Sequence, residues 1–96
     1  MTVRVLRIPL PVKAVGEKFV LEGEGHLVFE RAGISPEGGV PVVWCTAVDG
    51  PLPLYRRTLV VVRDDHVFPE HDALRSIKYI SSWWEANVTF HLYEVA

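Results

Sequence analysis

Cysteine is nearly missing from this chain of 96 residues: Cys45 stands alone. A single thiol forms no intramolecular disulfide, so no cystine framework holds the fold, and the usage fits a reducing compartment. Basic charge is also short. Ten Lys and Arg face twelve Asp and Glu, for a formal charge of −2 at pH 7. Nucleic-acid surfaces normally carry a basic stripe, and the densest basic feature here is the pair Arg56-Arg57. No nucleic-acid partner is expected. Long apolar runs are lacking too. Arg4, Arg7 and Lys13 interrupt the N-terminal segment, which does not read as a signal peptide. No stretch approaches the ~20 apolar residues of a membrane helix. The expectation is a soluble cytoplasmic protein with no membrane contact, in which Asn87-Val88-Thr89 carries no glycan.

The usual catalytic and cofactor signatures are absent as well. Ser35, Ser76, Ser81 and Ser82 lie in no Gly-x-Ser-x-Gly elbow. "GEGH" and "EGGV" lack the Lys-Ser/Thr and the strand-to-helix setting of a phosphate loop. Cys45 sits in the apolar "VVWCTAV", without the electropositive surroundings that make a thiolate, and reads as a buried structural residue. No cofactor is expected.

What is present is a core and much turn punctuation. Hydrophobic residues make up 49% of the chain, enough for one small domain spanning 1–96. Gly and Pro recur between short runs rich in Val, Ile, Phe, Tyr, Trp and Thr, from Pro9 and Gly16 through Gly38-Gly39 and Gly50-Pro51 to Pro69. That rhythm reads as an all-β, antiparallel domain, a small sandwich or partly open barrel of about seven strands. The strands are placed near 2–8, 17–22, 26–31, 40–48, 55–63, 77–84 and 88–95. At most one short helical turn is granted, with Asp72 as its N-cap. "EKFVLEG" and "HLVFER" alternate, which fits one wet face and one buried face. "VPVVWCTAV" and "TLVVV" are apolar on both faces and read as central strands, or as strands whose outer face meets a partner; they are expected to pair with each other across "DGPLPLYRR".

Two groups of residues carry possible chemistry. In "DDHVFPEHD", Asp64, Asp65, His66 and His71 lie within a few residues of one another, and His91 follows on a later strand. Imidazole and carboxylate together suit Zn, Mn, Fe or Ni. His-x4-His across a proline has no predictable geometry, so a solvated acidic loop guarding a sheet edge ranks above a metal site. His91 shares a strand face with Thr89, Tyr93 and Val95, a pattern of partly exposed packing; as a general base it would need a nucleophile or carboxylate in reach. The second group is aromatic. In "KYISSWWEA", strict alternation puts Tyr79, Ser81 and Trp83 on one face and Ile80, Ser82 and Trp84 on the other. Adjacent tryptophans on a strand point to opposite sides, so both sides need cover. With Tyr93, these residues make a candidate protein–protein surface, and a homo-oligomer is its simplest form.

The order "VPVVWCTAVD", "RRTLVVV", "HVF", "KYISSWW", "FHLYEV" resembles a family of short β-rich proteins of undetermined function, encoded mostly by bacteriophages and prophages. The resemblance runs from about Arg4 to Glu94 and marks Pro41, Trp44, Val48, Asp49, Arg57, Thr58, His66, Tyr79, Ile80, His91, Leu92, Tyr93 and Glu94. The chain departs from the pattern at Asp65, where a glycine would precede the histidine, and at Ser81-Ser82, where Gly-Thr would fall. The resemblance implies a phage origin and a small β fold, and no reaction. The expected function is that of a non-enzymatic phage accessory protein in the host bacterial cytoplasm. It would bind itself, or a host or virion protein, through Trp83, Trp84, Tyr93 and Tyr79. The alternative is a metal-binding module or metal-dependent enzyme using His66, His71, His91, Asp64 and Asp65.

Overall fold

Strand-forming runs bounded by turn residues become seven strands in the computed structural model, which describes residues 2–11, 15–49, 54–69 and 77–96. They are β1 (Thr2–Pro9), β2 (Lys18–Glu24), β3 (His26–Ile34), β4 (Pro41–Asp49), β5 (Leu54–Arg63), β6 (Ile77–Glu85) and β7 (Val88–Val95). Two antiparallel sheets result, one of order β1-β4-β3 and one of order β2-β5-β7-β6. The expected sandwich is the observed fold, and the sheets do not close into a barrel. There is no helix among the described residues; the turn expected at Asp72 lies outside them. None of the described segments is a helix long and apolar enough to cross a membrane.

The two strands that are apolar on both faces are indeed interior strands, β4 between β1 and β3, and β5 between β2 and β7. They do not pair with each other, contrary to expectation. Val42 and Val43 of β4 are both buried, as are Val60, Val61 and Val62 of β5. A strand covered on both faces and both edges becomes the centre of a sheet, and each of these two centres its own.

The inward faces of the sheets build one core from Ala32, Val43, Leu59, Val61, Trp83 and Leu92, with Ile8, Phe19, Leu21, Phe29 and Phe90 packed around it. Beside it, Leu27, Cys45 and Ala47 pack with Leu6 and Tyr55. Each large apolar side chain so buried stabilises the fold by about 1.5–3 kcal/mol. Cys45 is a free thiol in this layer, and burial pushes its pKa up, with Glu30 adding to the effect. The expected structural role fits that position. Gly23 makes room for Tyr55: a Cβ there would fall 2.4 Å from the Tyr55 hydroxyl oxygen, so any larger residue displaces that ring.

Two bulges adjust the phase of the strands. One lies between Phe29 and Arg31 in β3, the other between Tyr79 and Ser81 in β6. Both strands sit where the sheets draw together, and the Ser81 hydroxyl donates to the Ala32 carbonyl across that seam at 3.2 Å. Strands β6 and β7 are joined by Ala86-Asn87, both with positive φ (50° and 65°), as a two-residue hairpin turn of matching twist requires.

Candidate functional site

The bulge in β6 decides which residues meet on the outer face of the four-stranded sheet. Strict alternation would group Tyr79 with Trp83. One extra residue, Ile80, reverses that grouping, since the side-chain period is two. Tyr79 therefore shares the outer face with Ser82 and Trp84, while Ile80 and Trp83 pack inward. Trp83 is only 7% exposed and stacks on Phe90 with ring centroids 5.7 Å apart. Its indole Nε1 is buried with no acceptor among the described residues. The candidate surface is thus made without Trp83, whereas Trp84 is 77% exposed and Tyr79 53%.

Cross-strand pairing completes the face. Tyr79 pairs with Tyr93, Ser82 with His91, and Trp84 with Thr89. Tyr93 makes edge-to-face contacts with Tyr79 at 5.5 Å and with Phe68 at 5.2 Å, and His66 meets the Phe68 ring at 4.8 Å. Beneath these rings lies a small outer core of Val60, Val62 and Val95. The segment carrying Phe68 covers β5 and β7, so the sheet buries apolar residues on both sides.

A chain of hydrogen bonds runs over this layer. Asp64 Oδ1 lies 2.6 Å from His91 Nε2, His91 Nδ1 lies 2.6 Å from Ser82 Oγ, and Ser82 Oγ lies 2.7 Å from the Tyr79 hydroxyl. A carboxylate only accepts, so Nε2 carries the ring hydrogen. In the neutral ring Nδ1 then accepts from the Ser82 hydroxyl, and Ser82 Oγ accepts from Tyr79. The contacts follow the order of a nucleophile, a base and an orienting carboxylate. The serine oxygen is also held by Tyr79, so the chain cross-links the turn after β5 to β7 and β6. Sequence reasoning missed Ser82. A usable signal was there: a two-residue turn at 86–87 puts residue 82 opposite residue 91 by counting alone.

Of the residues named for a metal, only His91 and Asp64 come together. His66 turns to Phe68, Asp65 takes a positive φ of 69° in the turn, and His71 lies outside the described residues. Among the described residues, no three His, Cys, Asp or Glu side chains gather as a metal site would require.

A second polar feature faces the other way, between the sheets. Arg57 makes a bidentate ion pair with Glu94: Nε contacts Oε2, and Nη2 donates to Oε1 at 2.7 Å. Its Nη1 donates to the Leu27 carbonyl at 2.6 Å, and the guanidinium lies 4.8 Å from the Phe29 ring centroid. The hydrogen bond to Glu94 raises the Arg57 pKa. The pair lines a cleft of about 230 Å³, bounded also by His26, Lys78 and Tyr79. The residues marked by the family resemblance are thus only partly brought together. Arg57 meets Glu94, and Tyr79 meets Tyr93, whereas Trp44 lies on the other sheet under Arg31, 4.0 Å from its guanidinium. No family model, curated protein or solved structure matches the chain.

Proposed function

We propose that the protein acts by contact rather than catalysis, as a β-sandwich that docks a protein partner on the outer face of β6 and β7. The carrying observation is Trp84, a large indole 77% exposed on a strand whose backbone is fixed by pairing to β7. Exposed Trp and Tyr on a rigid support concentrate binding energy, because little side-chain entropy is lost on docking. Tyr79 and Tyr93 extend the same surface, and the chain from Asp64 to Tyr79 holds it in one arrangement. The matching partner surface offers an apolar side chain to lie against the indole and hydrogen-bonding groups for the hydroxyl rim. The resemblance to phage-encoded proteins supports a host or virion protein in that role.

The test uses wild-type protein and Trp84→Ser as immobilised baits against a host lysate and purified virions. A single partner retained by wild-type and lost by Trp84→Ser, at unchanged thermal stability, is the expected result. Equal capture by both baits, or none by either, overturns the reading. The metal alternative rests on His91 and Asp64; it fails if purified protein holds no stoichiometric ion.

A further inference from the structure

We propose that β1 is a self-association strand, which pairs antiparallel with β1 of a second copy to join two three-stranded sheets into one of six. The observation behind it is an imbalance among the sheet edges. Strands β3 and β6 lie against each other where the sheets converge. That leaves β1 and β2, each hydrogen-bonded to a single neighbouring strand among the described residues. An unguarded edge strand is a template for a further strand, and proteins normally blunt it with charge. On β2 the outward side chains are Lys18, Val20, Glu22 and Glu24, with Glu22 also paired to Arg56 at 3.4 Å. On β1 the corresponding face carries Val3, Val5, Arg7 and Pro9; its charge and its proline sit at the far end, Arg7 already engaged by Glu37, and leave Val3 and Val5, 60% and 77% exposed, as the unguarded stretch.

The backbone phase fits. The Leu10 amide donates to the Pro41 carbonyl, continuing the β1–β4 ladder beyond Pro9. In an antiparallel pair, bonded and non-bonded positions alternate. Even-numbered residues of β1 therefore bond to β4, and Val3, Val5 and Arg7 turn their N–H and C=O groups to the open edge. The register shows no slip from Thr2 to Pro9, so this row is straight.

A second copy fits this row better than an unrelated strand does. Pairing about a twofold axis at Val5 sets Val5 against the partner's Val5, Val3 against the partner's Arg7, and Arg4 against the partner's Leu6. No arginine then faces an arginine. Arg7 already meets an opposite charge, since it bonds Glu37 at 3.1 Å and Ser35 at 3.2 Å. Such a pairing makes about six backbone hydrogen bonds and brings the exposed Val3 and Val5 of both copies together on one face, with Arg7 at either end. A contact of this length sits at the small end of specific interfaces, so dissociation near the micromolar range is expected.

Sedimentation velocity from about 1 to 300 µM tests this, a range chosen to bracket a micromolar dissociation constant. Wild-type should move from monomer to dimer. Val5→Lys should stay monomeric with an unchanged circular dichroism spectrum, and Val20→Lys on β2 should behave as wild-type. Trp84→Ser should also dimerise as wild-type, which separates this inference from the docking role of β6. Amide exchange on wild-type gives a readout free of substitutions: the Val3, Val5 and Arg7 amides should slow as concentration rises, while those of Arg4 and Leu6 do not change. A wild-type monomer at every concentration, a dimeric Val5→Lys, or unchanged exchange at the odd positions overturns the proposal.

Discussion

The inner and outer faces of the four-stranded sheet use the same strands to different ends. Inward, Leu59, Val61, Trp83 and Leu92 fill the core, and the polar pair Arg57–Glu94 is enclosed between the sheets. Outward, Val60 and Val62 lie under rings, and the polar chain from Asp64 to Tyr79 runs at the solvent boundary. Neighbouring residues of one strand thus answer to different pressures. Trp83 fills core volume, whereas Trp84 stands 77% exposed and joins no buried cluster among the described residues. An exposed indole that supports no core is the best pointer to work done outside it.

The comparison breaks most sharply at the tryptophans. Trp83→Ala should cost about 3–5 kcal/mol in urea unfolding, whereas Trp84→Ala should change stability by less than about 0.5 kcal/mol. Equal effects would remove the distinction between the faces. The polar groups come next. Arg57→Ala leaves Glu94 without its partner in a partly enclosed cleft and should cost about 2–3 kcal/mol, a value below that of a fully buried pair. Asp64→Asn on the exposed outer chain should cost less than about 1 kcal/mol. If Asp64→Asn were the more damaging, the outer chain would be a stabilising core element rather than a surface brace.

Smaller effects sharpen the picture. The Cys45 thiol has a raised pKa, so it binds its proton more tightly folded than unfolded. Its contribution to stability is complete below the ordinary thiol pKa and fades as pH rises through the raised one. Native protein should therefore resist thiol reagents at pH 8, and unfolding by urea should expose one reactive group. The smallest change concerns the β6–β7 turn. Ala86 holds a positive φ that costs a non-glycine residue about 1 kcal/mol, so Ala86→Gly should raise stability by about 0.5–1 kcal/mol in thermal unfolding.

Much of this fold was legible because its signals are local. Turn residues and apolar runs place all seven strands, and two-sided apolarity picks out β4 and β5 as interior. What escaped is what spacing along the chain does not encode. The sheet to which each interior strand belongs depends on long-range pairing. The bulge at Ile80 leaves no mark in composition, yet it moves Tyr79 to the face of Trp84. The chemistry of His91 and Asp64 points to metal ligation. Their contact with each other, and with Ser82, needed the hairpin register and the turn after β5.

The pairing of β1 with β4 also bears on how the chain is made. Leu6 meets Cys45, 39 residues further along, so β1 leaves the ribosome well before β4, its partner strand among the described residues. At about 5–20 residues per second, that interval lasts on the order of seconds. During it β1, valines included, has not yet met the strand that pairs with it. Under the proposed pairing of β1 with β1, assembly between neighbouring copies would begin during translation, and slower codons between β1 and β4 would lengthen the opportunity.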